Sequence, residues 1–108
     1  MNQLKYELTK TVNGIPLIEE VGKVGIKILI FLARRQRAKL TDFRKVMGAG
    51  YEGIYSSLYK LRELGLIEEE RERNTRYFML TKDGRKIAEL LEEADRLLAN
   101  IKKSRASS

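Results

Sequence analysis

Residues 51–67, YEGIYSSLYKLRELGLI, constrain this chain more than any other stretch. At 100° per residue, Ile54, Leu58, Leu61 and Gly65 fall on one narrow arc, while Glu52, Ser56, Tyr59 and Glu63 lie opposite with Lys60 beside them. A helix with that one apolar arc must bury it against another element. Tyr51 and Tyr55 run along the flank, so the tyrosine stripe borders the exposed face. Gly65 ends the helix, as glycine does where a left-handed residue is needed. The next residues, LIEEERERNTRYFML, read as strand, polar tip, strand.

The flanking segments fill out the domain. IKILIFLARRQ, after Gly22 and Gly25, predicts a mostly buried helix through Ile28, Leu29, Phe31 and Leu32. Its end carries Arg34, Arg35 and Arg37, cations that suit the carbonyl end of a helix dipole. AKL reads as a short extended link and Thr41 as the cap of a second helix, DFRKVMG, closed by Gly48 and Gly50. Phe43, Val46 and Met47 should face the core, with Arg44 and Lys45 outward. Helix, glycine-containing turn, helix is a helix-turn-helix unit. In the hairpin, a reversal at Asn74-Thr75 would set Arg73 opposite Arg76 and Arg71 opposite Phe78, a crowding of like charge that an anionic partner would relieve. Glu68, Glu69 and Glu70 read as a solvated strand edge rather than catalytic acids, because alternation sends neighbours to opposite faces.

Thr81 can cap a last helix over residues 82–103. There Ile87, Leu90, Ala94, Leu97 and Ile101 are spaced 3, 4, 3, 4, and Leu91 and Leu98 broaden the seam. That spacing predicts self-association through a helical partner. Residues 104–108 are expected to be a flexible tail. Residues 1–22 form an extension: alternation at Leu4, Tyr6 and Leu8 and a turn at Asn13-Gly14 into IPLI favour a hairpin, though Leu4, Leu8 and Val12 also share a helical face.

At 108 residues and 43% hydrophobic content, one domain is expected. With no cysteine and no histidine, the chain lacks disulfides, thiolate or imidazole metal sites and Ser-His-Asp chemistry. No cofactor, metal or enzymatic activity is expected. The longest apolar run, Ile28 to Ala33, is too short to span a bilayer, and no signal core opens the chain, so a cytoplasmic protein without membrane attachment is expected. The net charge of +7 favours a polyanionic partner. It is uneven: residues 23–62 hold ten bases against two acids, and residues 63–100 seven bases against ten acids.

The segments KILIFLA, LTDFRKVMG, IYSSLYKLRELGLI and RYFMLTKDGRKI, in that order over about residues 23–101, resemble the winged helix-turn-helix family. The last is similar to the exit from the wing in small bacterial and archaeal transcriptional regulators of the MarR-like and PadR-like kinds. The resemblance implies a mainly α fold with a small β-hairpin wing, a winged DNA-binding domain over 23–81 and a dimerisation helix over 82–103; the extension over 1–22 lies outside it. It implies that residues 51–64 enter the major groove of double-stranded DNA, presenting Glu52, Tyr55, Ser56, Tyr59 and Lys60, with Arg71, Arg73, Asn74 and Arg76 on the wing and Arg44 and Lys45 toward the backbone. Before Arg62 this helix has no Arg, Asn or Gln, the residues that read guanine and adenine in bidentate geometry, which shifts weight to backbone contacts. The expectation is a homodimeric transcriptional regulator. An architectural chromatin protein and a winged-helix docking module are the competing readings. A small-molecule effector would sit between the winged core and the last helix, though no residue identifies one.

Overall fold

The chain's three phenylalanines meet edge to face in series, Phe31 to Phe43 at 5.6 Å and Phe43 to Phe78 at 5.9 Å between centroids. Each comes from a different element, so the rings pin a helix, a second helix and a strand to one core. The computed structural model describes residues 14–48 and 50–107. After a π-helical turn, Leu17–Val21, come α1 (Gly22–Ala33), β1 (Ala38–Lys39), α2 (Leu40–Met47), α3 (Tyr51–Glu63), β2 (Ile67–Glu72), β3 (Thr75–Leu80) and α4 (Lys82–Ala106). Ile28, Leu29, Leu32, Phe43, Ile54, Leu61 and Phe78 are fully buried between them.

The expected link at Ala38-Lys39 is a third strand, and the antiparallel sheet runs β1-β3-β2. Ala38 stands opposite Phe78 and is buried with it. In the hairpin, Glu72 faces Thr75, Arg71 faces Arg76 and Glu69 faces Phe78, so the reversal lies at Arg73-Asn74, one residue earlier than the sequence suggests. The expected pairs Arg73–Arg76 and Arg71–Phe78 are therefore incorrect. The two alignments differ by two residues in pairing and so keep every side chain on its own face; the observed one sets buried Leu80 opposite buried Ile67. Arg73 takes the positive φ, 58°, that the tight turn requires.

Three further expectations change. Thr41 lies inside the first turn of α2 and does not cap it; the carboxylate of Asp42 accepts from the Lys39 amide instead, at 2.9 Å. Val46 is exposed, because Phe43 and Met47, one turn apart, define the inner stripe and leave it on the flank. In IPLI, the Ile15 carbonyl accepts from the amides of Ile18 and Glu19, both at 2.9 Å, so this stretch is helical and not a strand. The rest of the expected hairpin, residues 1–13, lies outside the described residues. α4 continues to Ala106, which makes residues 104–106 of the expected tail helical.

The end of α3 and the start of α4 interlock. Gly65, at φ 75°, allows its own amide to reach the Arg62 carbonyl and the Leu66 amide to reach the Leu61 carbonyl, both at 3.0 Å, which is a Schellman closure. The Leu66 carbonyl then accepts from the Thr81 amide at 3.0 Å. Thr81 Oγ1 donates to the Gly65 carbonyl at 2.6 Å and accepts from the Gly84 amide at 3.0 Å, capping α4 as expected. A Cβ on Gly84 would lie 1.7 Å from the Leu66 carbonyl oxygen, so glycine is required here by close approach.

The first half of α4 packs on α1. Gly84 and Ala88 are buried, Ile87 and Leu91 rest against the core, and Arg34 reaches Glu92 at 3.1 Å and Asp95 at 3.0 Å. Beyond that point Ala94, Leu97, Leu98 and Ile101 are exposed, as is Leu90. The seam inferred from the 3, 4 spacing therefore divides, with Ile87 and Leu91 serving their own domain and the remainder left outward. Among the described residues no helix is long and apolar enough to cross a membrane.

Candidate nucleic-acid interface

α3 buries Ile54, Leu58 and Leu61 and turns Glu52, Tyr55, Ser56, Tyr59 and Lys60 to the exterior, as its periodicity requires. Tyr55 is 44% and Tyr59 63% exposed, so neither ring is a core residue. Tyr51, at the helix start, lies under the Arg44 guanidinium at 4.6 Å, which joins α2 to α3 on this face. Lys60 sits 3.4 Å from Glu20 of the N-terminal turn.

The basic residues around α2, α3 and the wing separate into two groups by their surroundings. In the first, carboxylates are close. Arg35 lies 3.7 Å from Asp42 and over the Phe31 ring. Arg37 covers the outer face of the hairpin, 3.7 Å above the Tyr77 ring and 3.3 Å from both Glu70 and Glu72; its hydrogen bond to Glu72 raises its pKa, against the opposing effect of burial. Glu69, opposite Phe78 on the inner face, is half-buried and not the solvated edge its sequence suggested. It accepts from Arg76 at 2.6 and 3.0 Å and from Arg62 of α3 at 2.9 Å.

Arg76 thus stands as a strut between the strands, 5.4 Å from the Phe78 ring and 5.9 Å from the Tyr55 ring, and not as a free cation at the wing. The hydrogen bond from Arg76 holds the Glu69 carboxyl below the usual carboxylate range, with desolvation opposing and the charges of Arg76, Arg62 and Arg71 assisting. Because the folded pKa is depressed, the associated stabilisation is complete above the unfolded value, about 4.3, and is lost as pH falls through the folded value. Glu69→Gln should lower stability near neutral pH by about 1 kcal/mol, after allowance for screening of the partly exposed Arg76. It should also flatten the acid limb of the urea-denaturation midpoint below about pH 4.3; an unchanged acid limb would mean the pair is energetically silent.

In the second group are Lys39, Arg44 and Lys45 around α2, and Arg71 and Arg73 on the wing. All five are exposed, and none lies within ion-pair distance of a carboxylate among the described residues. Beside Lys39 runs a groove of about 230 Å³, lined also by Leu40, Thr41, Tyr55, Asn74, Thr75 and Arg76. It brings the start of α2, the exposed flank of α3 and the wing tip onto one surface. Lys39 and Thr41 were not read as site residues from the sequence. The local signals placed them in a connector and a cap, and only the pairing of β1 with β3 brings them to the wing.

A helix-turn-helix whose second helix shows a polar face, bordered by a β-hairpin with Arg71 and Arg73 near its tip, defines a winged helix-turn-helix protein. Residues 22–91 match the EarA-like family, and the chain belongs to it. The adhesin competence repressor AdcR of Streptococcus pyogenes has a similar structure, with a TM-score of 0.75 and 20% identity over 96% of this chain and 81% of that one. ZitR of Lactococcus lactis gives a TM-score of 0.69 and 20% identity, covering 99% and 81%. The transcriptional repressor BigR of Xylella fastidiosa gives 0.68 and 17%, covering 86% and 90%. At these identities the likeness is one of fold. No curated protein sequence matches the chain.

Proposed function

We propose that this chain binds double-stranded DNA as a homodimer and regulates transcription. The observation that carries the reading is a set of exposed cations around α2 and the wing: Lys39, Arg44, Lys45, Arg71 and Arg73 have no ion-paired carboxylate among the described residues, while Arg35, Arg37, Arg62 and Arg76 of the same region are held by carboxylates. In this reading α3 enters the major groove with Glu52, Tyr55, Ser56, Tyr59 and Lys60 toward the bases. The five cations and Asn74 meet the phosphates, and Arg76 keeps the wing in place. The outward apolar residues of α4 support the dimer, and the repressors of similar fold support the regulatory role.

With five cations per protomer on phosphates, duplex affinity measured by fluorescence anisotropy should fall on the order of a hundred-thousandfold between 50 and 200 mM salt. Affinity independent of salt over that range would exclude the reading. A second reading, an architectural protein with little sequence preference, draws on one specific observation: the exposed half of α3 ahead of Arg62 offers tyrosine, serine, glutamate and Lys60 but no arginine, asparagine or glutamine. Equal displacement by random and promoter duplexes would select it.

A further inference from the structure

Leu90, Leu97, Leu98 and Ile101 are 67, 59, 57 and 46% exposed along α4, an apolar stripe that nothing from the same protomer covers among the described residues. At its N-terminal end the stripe runs through Ile87 into a groove of about 360 Å³ walled by Pro16, Leu17, Val21, Leu64 and Leu66. The wall of that groove includes Glu20, and Glu19 beside it is exposed. The opposite end of α4 bears Lys102, Lys103 and Arg105, all exposed. Stripe, groove, acidic rim and basic end are four parts of one chain, and they fit each other only between two copies.

We propose that the homodimer is antiparallel at α4, with the basic end of one protomer's α4 seated at the groove of the other; this rests on the homodimer reading above. In a parallel pair the three cations of each copy would adjoin those of its partner, and both grooves would stay open. In the antiparallel pair each basic end meets an acidic rim, and the opposed helix dipoles add to the attraction. Leu90 then faces the partner's Ile101, and Ala94 the partner's Leu97. One two-fold interface covers the stripe and both grooves, each pairing occurring twice. Because Leu64 and Leu66, at the end of α3, wall the groove, the partner helix rests directly against the base of the recognition helix.

The chain has no cysteine, so single-cysteine chains give an unambiguous test. In the antiparallel pair two residues at position 101 are about 16 Å apart along the axis, too far for a disulfide. Leu90→Cys and Ile101→Cys chains should therefore each stay uncross-linked alone under mild oxidation and form a mixed disulfide dimer when combined. Cross-linking of each variant alone would show a parallel pair and overturn the proposal, as would absence of cross-linking in a mixture that sedimentation shows to be dimeric. Replacing Lys102, Lys103 and Arg105 with glutamate should weaken dimerisation at least tenfold, and adding Glu19→Lys and Glu20→Lys to the same chain should restore it. Failure of that restoration overturns the placement at the groove. A wild-type chain that sediments as a monomer at all concentrations would reject the homodimer itself, a failure distinct from a wrong orientation.

Discussion

Gly84→Ala should destabilise the protein by about 3–5 kcal/mol and lower its melting temperature by roughly 15 °C or more. Helix propensity predicts the opposite sign, since alanine in place of glycine within a helix gains up to about 1 kcal/mol. Steric overlap decides: the added Cβ would sit 1.7 Å from a backbone oxygen that also accepts from the Thr81 amide, so it cannot be accommodated by rotating a side chain. Either α4 lifts from the end of α3 or the Thr81–Leu66 hydrogen bond breaks, and both outcomes open the core beneath Ala88. Thermal unfolding followed by circular dichroism measures the effect. A variant as stable as the parent would show that α4 and the Leu66 turn are less closely apposed than described.

Replacing Arg44, Lys45 and Arg73 together with alanine should weaken duplex binding by at least about a hundredfold at moderate salt, and should reduce the salt slope by roughly one for each phosphate left without its cation. All three side chains are exposed, and among the described residues the only ring stacking they make is Arg44 over Tyr51, so stability should fall by no more than about 1 kcal/mol. Arg76→Ala is the informative contrast, because its guanidinium is engaged by Glu69. That variant should lose stability while retaining most of its salt dependence. If the triple variant binds within threefold of the parent, the unpaired cations do not face the duplex and the proposed interface is misplaced.

What could be read from the residues was local. The buried arc of α3, its closure at Gly65 and the cap at Thr81 depend on spacing and backbone sterics within a few residues, and the structure contains all three. The hairpin register was not legible, because a tip rich in charge fits two alignments that keep the same side chains inward, so alternation cannot choose between them. Thr41 alone was read as the cap of this helix, and the use of Asp42 instead depends on the Lys39 amide being held in β1. The partners of Arg37, Arg62 and Arg76 were hidden for a different reason. Long side chains select carboxylates by the strand face they share, so the hairpin's glutamates could not be recognised as counter-ions before its register was known.

The Leu66 carbonyl, which accepts from the Thr81 amide, makes one residue the meeting point of the recognition helix, the wing exit and the long C-terminal helix. With no pliable linker between reading head and shaft, swivelling the one drags the other. In the proposed DNA-bound homodimer such a rigid calliper would tolerate little variation in the distance between two binding sequences, so a single inserted base pair should weaken binding.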